Sequence, residues 1–515
     1  MDKTQLQKRN LPRSILNTLQ YLFIAGRDPS FFYWLLGVIT LIGLVIRIWR
    51  ISQPIAYDEA YTFIHYATRE FKHILADYSA PNNHIFHTLL VRMAYELFGR
   101  QVWVVRLPAL LAGILCIPAA YFSARRIFDA SQSLAACAAI ALLPWFINYS
   151  VNGRGYTLII LFSLLLANVG ALLIEKQSRA ALTAYAVIAT LGFYTIPIFL
   201  YPMAGISLWI LTTHLAGPEP WKDRSIRVRD FLFTCFLAGL MTLLLYLPVI
   251  LFGTGLASIV SNEIVESRAW AVFVENLRPR ALKTWESWMQ QISSPVRYLL
   301  LTGFLLSLIF YRKASRQRLP MPVFLVLGAA IMVLLQRVAP LARVWMYLEA
   351  FYLIFAAGGL VWLAEVLLHK NLKQEYTARL LPTVILLSVV FMFVRITLDT
   401  QNGSLVPNRG DFPEQHAAEY LASHMQADDT LLAISPVDIQ TAYYLFMYGI
   451  PYEVFYQRDH PVEVQKATVI LRVNSKYKTP ESVLGYYNLA ENFDPASARQ
   501  VYEYGPIRVF VLSAK

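Results

Sequence analysis

Residues 156–174 read YTLIILFSLLLANVGALLI, an apolar run without a single charge, entered directly from Asn152-Gly153-Arg154-Gly155. At 1.5 Å of rise per residue this run makes a helix about 28 Å long, close to the thickness of a bilayer's hydrocarbon core. Ten further stretches have the same character, near 31–49, 103–124, 132–149, 180–196, 197–216, 230–252, 296–311, 320–337, 344–367 and 380–398. The expectation is an all-α polytopic membrane protein with about eleven transmembrane helices. Tyr194, Pro197, Tyr201 and Pro202 interrupt one long apolar run, which places a boundary between two spans at 196–197.

Composition agrees with this reading. Hydrophobic residues make up 57% of the 515 and charged residues only 15%, which excludes an ordinary water-soluble enzyme. The net charge of +12 would point a soluble protein towards nucleic acid. Here the basic residues sit in short loops between apolar runs, where they orient spans, so no nucleic-acid partner is expected. Cys116, Cys137 and Cys235 all lie inside apolar runs and read as small core residues, not as a disulfide or metal framework.

Charge also sets the sidedness. Arg125 and Arg126, Lys176 and Arg179, Lys222 to Arg229, Arg312 to Arg318, and Lys370 to Arg379 fall in alternate loops, on the side that holds Lys3, Lys8, Arg9 and Arg13. That side is read as cytoplasmic, and an odd number of spans leaves the C-terminus outside. No small-residue cleavage site follows the first apolar run, so a cleaved signal peptide is not expected. Residues 1–30 form a cytoplasmic segment in which 11–25 has the pattern of an interfacial helix. The spans occupy 31–398, with long outer loops at 50–102 and 253–295. Residues 399–515 change character, with a helix near 411–425 and β-like runs at 430–434, 467–473 and 508–512, and read as a small extracytoplasmic α/β domain. Arg47 and Arg50 lie at the outer end of the first span against the charge rule, and read as snorkelling residues or as contacts for an anionic ligand.

The residues able to do chemistry gather in the outer segments. Asp58 and Glu59 lie just beyond the first span, at the height where a lipid-linked head group sits. A carboxylate shielded there gains basicity and can take a proton from a hydroxyl or amine, although an outer loop is also simply hydrophilic. The same loop runs Asn82-Asn83-His84-Ile85-Phe86-His87 into a helical stretch, where Asn82 and Asn83 stand at its start as cap and donors. His84 and His87, three apart, share one face. They suit substrate hydrogen bonding, structural use, or a divalent metal that lacks a placed third ligand. Arg154, between two glycines, stands at the membrane boundary, either as a phosphate fork or as a helix anchor. Arg337 and Arg343 flank a short outer turn at the same height. Arg343 is the better candidate for a phosphate, unless Glu349 one or two turns inward is its partner. In 253–295, Glu263, Glu266, Arg268, Glu275, Arg278, Arg280, Lys283 and Glu286 alternate with Trp270, Phe273, Trp285 and Trp288, the pattern of a surface-anchored helix or of a lid.

Taken in order, Asp58-Glu59-Ala60-Tyr61, Asn82-Asn83-His84 with His87, Arg106-Leu107-Pro108, Arg125-Arg126 and Asn152-Gly153-Arg154-Gly155-Tyr156 resemble the protein-mannosyltransferase-like branch of the GT-C glycosyltransferases. That branch includes the lipid A aminoarabinose transferases. The resemblance covers the first two hundred residues by motif and the later spans by layout. It implies inverting transfer of a sugar from a polyprenyl monophosphate donor to a lipid, protein or glycan acceptor at the outer face of the cytoplasmic membrane. It further implies Asp58 as catalytic base, Glu59 as its partner in acceptor binding, and His84 and Tyr156 among the substrate-pocket residues. Arg154 and Arg343 would hold the carrier phosphate, with Arg337 as a further candidate. Relatives commonly carry Pro-Pro after a histidine late in the first loop, where this chain has Asn82-Asn83-His84, so the roles of His84 and of any metal beside it do not carry over directly. The rival reading is a transporter or flippase for lipid-linked sugars, which would place charges near the bilayer midplane and show two related halves.

Overall fold

The computed structural model describes residues 17–22, 28–261, 266–370, 372–401, 412–426, 429–458 and 464–515. Most of the expected N-terminal interfacial helix, together with Glu263 and Asp411, lies outside them.

A helix stands at each of the eleven expected spans. Seven are long and apolar enough to cross a membrane, and two more qualify as bent pairs, Ala130–Leu142 with Pro144–Ser150 and Trp270–Met289 with Ser294–Ile309. By length and apolarity alone, seven to nine of the eleven qualify as full spans among the described residues. Arg179–Thr195 and Met321–Gln336 hold 17 and 16 residues, about 24–26 Å of helix, short of a full hydrocarbon core. The outermost helices are apolar on faces that no protein covers: Phe233 and Phe236 on Trp221–Phe252, and Leu387 and Phe391 on Gln374–Gln401, are each more than 60% exposed. In a multi-pass membrane protein those faces meet lipid.

Arg47 departs from the expectation. It neither snorkels nor faces a ligand, and it is wholly buried. Its guanidinium donates to the carbonyls of Gly43, Ala141 and Ile140 at 2.9–3.1 Å and to Ser150 Oγ at 3.0 Å. The reason lies in the bent pair. Pro144 has no N–H to give the Ile140 carbonyl, and the chain turns by 59° there, so two carbonyls are released from the helical ladder inside the membrane. Arg47 satisfies both, and Arg47→Met should lower stability by about 2–6 kcal/mol, since each of the two abandoned buried carbonyls costs about 1–3 kcal/mol. The check is the midpoint of thermal unfolding in detergent; an unchanged midpoint would remove this role.

The C-terminal region folds around a four-stranded sheet of order β1-β2-β4-β3, with β1 Asp429–Ala433, β2 Lys466–Arg472, β3 Arg499–Tyr504 and β4 Ile507–Ser513. β1 and β2 are parallel, and the other pairings are antiparallel. The sequence pattern reveals three of these strands. It misses β3, whose residues are mostly exposed at a sheet edge, so no apolar alternation marks it. Helix Asp438–Met447 packs this region onto the segment 51–101 between the first two long spans, and Ala417, Leu421, Tyr443 and Leu445 share one apolar core with Ile55, Phe63 and Ile64.

Candidate functional site

The short helix Tyr57–Thr62 follows the first span and carries the two adjacent acids. Successive helical residues point about 100° apart, so Asp58 and Glu59 cannot face the same way. Glu59 turns inward, with its side chain fully buried. It receives both ends of the Arg106 guanidinium at 2.7–2.8 Å, the Ala56 N–H at 2.7 Å and the Gly153 N–H. Arg106 also donates to the carbonyls of Ile51, Gln53 and Pro54 at 2.7–2.8 Å. With every oxygen so engaged, Glu59 has no surface to offer an acceptor. The resemblance-based role is corrected: Glu59 holds the loop that presents Asp58.

Asp58 turns outward. Its carboxylate is about one-third exposed and lies 3.2 Å from Arg343 Nη1, with Asn82 Nδ2 at 3.5 Å. Arg343 belongs to the 3-10 turn Ala342–Trp345 that opens a later span, so residues 285 positions apart meet at one point. The alternative partner Glu349 is buried within that span and makes no ion pair with Arg343 among the described residues. Arg343 also lies over the Tyr156 ring, 5.8 Å from its centre.

Arg154 is buried beneath this pair. Its Nη1 donates to Thr62 Oγ1 at 2.9 Å and to the carbonyls of Asp58 and Asn82 at 3.3 Å. All three acceptors are uncharged, so its positive charge is hydrogen-bonded and not neutralised. The flanking glycines are required by close approach: a Cβ on Gly155 would stand 2.7 Å from Thr195 Cγ2 and 3.1 Å from His84 Nδ1. His84 Nδ1 accepts the Gly155 N–H at 2.9 Å, which leaves the ring's one proton on Nε2, 3.2 Å from Arg154 Nη2. Burial first, then the charge of Arg154, holds the imidazole pKa well below its usual value and keeps the ring neutral. Two N–H groups thus turn into the same space, an arrangement that an entering oxyanion relieves.

The remaining candidates divide. Asn82 faces the site, whereas Asn83 is fully buried and donates to the carbonyls of Ile74 and Asp77 at 2.9 and 2.7 Å, tying down the loop. His87 is fully buried with both ring nitrogens unpartnered among the described residues, and burial pushes its pKa down to about 3. It does not line the cavity beside Asp58. Arg337 adopts a left-handed backbone at the end of Met321–Gln336 and lies over Trp270, 6.0 Å from its ring centre, so it does not join the site. Among the described residues no three His, Cys, Asp or Glu side chains converge as a metal-binding group.

Beside Asp58 opens a cavity of about 230 Å³ whose walls include Asn82, Arg154, Tyr156, Arg268, Arg280 and Arg343. A second hollow of about 340 Å³, lined by apolar residues such as Leu277, Trp285, Trp288, Val326 and Val333, shares Arg280, Ala339 and Pro340 with the first. An arginine-lined chamber therefore adjoins an apolar groove, and Arg280 stands between them. In the sequence Arg268 and Arg280 belong to an amphipathic stretch in which nothing sets them apart. Their interleaving with tryptophans is the same for an anchor as for a cavity wall; in the fold Arg280 lies on helix Trp270–Met289, and the Arg268 N–H donates to the Arg337 carbonyl at 3.3 Å.

Residues 82–252 match the family described as dolichyl-phosphate-mannose-protein mannosyltransferase. No curated protein matches the chain in sequence. Among solved structures, ArnT from Cupriavidus metallidurans bound to undecaprenyl phosphate superposes with a TM-score of 0.60 at 13% identity, covering 94% of this chain and 98% of that one. The apo state of the same protein gives 0.56 at 14% identity, with the same coverage. This chain has the GT-C membrane fold over almost its whole length.

Proposed function

We propose that this GT-C-fold protein is a glycosyltransferase that moves a sugar from a polyprenyl-phosphate carrier to an acceptor at the outer face of the cytoplasmic membrane, with inversion at the anomeric carbon. The observation that carries the reading is the partly exposed carboxylate of Asp58 on Arg343, set against an arginine-lined chamber that adjoins an apolar groove. Head group and tail of a lipid phosphate require these two environments side by side. The phosphate sits by Arg280, at the junction, within reach of Arg154 and Arg343. The isoprenoid follows the groove under Trp285 and Trp288, and the sugar faces Asp58.

The chemistry then needs only groups present in the chain. An acceptor hydroxyl or amine gives its proton to Asp58 as its oxygen or nitrogen attacks the anomeric carbon. The bond from that carbon to the carrier phosphate breaks on the opposite face. The phosphate leaves with one additional negative charge, which the guanidinium groups stabilise where it develops. Transport of a lipid-linked sugar is the less favoured reading, because the charged residues of the cavity come from span mouths and outer loops and not from the middle of spans.

The test is incubation of the purified protein with a panel of polyprenyl-phosphate sugars, with mass spectrometry of released carrier and glycosylated product. Release with none of them would sink the assignment. Arg280→Met is expected to raise KM for the active donor about 10- to 100-fold, the worth of a charge-assisted hydrogen bond of about 1.5–3 kcal/mol, and to lower kcat as well, because the phosphate gains charge as it leaves. An unchanged KM would move the phosphate elsewhere.

A further inference from the structure

The segment that leads from the first span to Asp58 has no strand partner and little helix of its own. Its backbone is held by side chains. Arg106 takes the carbonyls of Ile51, Gln53 and Pro54, and Glu59 takes the Ala56 N–H. Both polar groups of Ile55, three residues before Asp58, go instead to the C-terminal region. Gln440 Nε2 donates to the Ile55 carbonyl at 2.7 Å, and the Ile55 N–H donates to Tyr444 Oη at 3.3 Å. Gln440 and Tyr444 stand four apart on helix Asp438–Met447, on the face that meets the loop.

Two further ties fix that helix. Tyr443 Oη donates to the Arg100 carbonyl and Arg100 Nη1 donates to the Phe446 carbonyl, both at 2.7 Å, which pins its far end to the other limb of the outer loop. Asp438, its first residue, stands close enough to Tyr57, the immediate neighbour of Asp58, for its charge to add to burial in raising the Tyr57 pKa. The C-terminal region thus grips the first outer loop on both sides of the acid and shares its apolar core.

We propose that Gln440 and Tyr444 are positioning residues for Asp58, so that the C-terminal domain acts as a splint which sets the carboxylate against Arg343 and the sugar. Neither residue lines the donor cavity, and both act only through the backbone of Ile55. A displacement of about 1 Å in a reacting group costs on the order of 100-fold in rate, so a loosened loop lowers turnover without touching donor affinity. This inference rests on Asp58 as the base.

The experiment compares full-length wild type with the double variant Gln440→Met/Tyr444→Phe and with Arg472→Met, which breaks the Arg472–Glu414 pair within the same domain. Kinetics use the donor found active in the panel, and hydrogen–deuterium exchange follows residues 55–62. The double variant is expected to lose about tenfold in kcat with donor KM unchanged and to exchange faster at 55–62, while Arg472→Met keeps wild-type kcat and loop exchange. Unchanged kcat in the double variant overturns the proposal, as does a loss of kcat without faster loop exchange, or an equal loss in Arg472→Met. Should wild type use no donor at all, the glycosyltransferase reading fails, and the exchange comparison still decides whether the splint exists.

Discussion

Asp58→Asn is expected to lower transfer by about 10²–10⁴-fold, the usual contribution of a positioned general base, while the protein folds and binds its donor normally. The substitution changes almost no volume. It removes the site that takes the acceptor's proton, and it leaves Arg343 Nη1, now 3.2 Å from a carboxylate oxygen, facing a neutral amide. Because this pair is partly open to water, its loss costs little stability. The measurement is single-turnover transfer beside donor binding followed by ligand-induced thermal stabilisation. Turnover within a few-fold of wild type would remove Asp58 from the chemistry.

Glu59→Gln, one residue along, has a different expected result: a loss of about 3–5 kcal/mol of stability. The side chain of Arg106 is only 3% exposed, and no other carboxylate pairs with it among the described residues. Breaking such a pair strands a charge away from water, and an amide in place of the carboxylate also turns an NH2 group, with two donors, towards partners that are themselves donors. The variant should express poorly or unfold many degrees earlier in detergent. A Glu59→Gln protein of wild-type stability with abolished turnover would return this residue to a direct part in the reaction. Neighbouring acids with opposite phenotypes are thus the signature of this loop.

The membrane architecture is legible in the sequence because a hydrocarbon solvent imposes long uncharged runs such as 156–174. Asp58, Arg154 and Arg343 are legible for a related reason: a charge at the mouth of a span is costly, so its presence asks for a partner. What composition cannot convey is direction. Glu59 and Asn83 look as suitable for ligand binding as Asp58 and Asn82, yet a turn of the backbone sends them inward to Arg106 and to the carbonyls of Ile74 and Asp77. Arg337 and Arg343 look equivalent across one short turn until the left-handed conformation at Arg337 lays its side chain over Trp270. Gln440 and Tyr444 carry no local pattern at all, since their meaning depends on a backbone 385 and 389 positions away.

The guanidinium inside the first helix has a bearing on how the molecule is made. All but one of the acceptors of Arg47 lie 93–103 positions later in the chain, so during synthesis the first helix enters the bilayer carrying an unmet positive charge. Residues 140–150 bring the missing oxygens, and the proline that breaks their ladder is what sets those oxygens free. The opening helix is therefore completed by a later one, and the two settle in the lipid as one event.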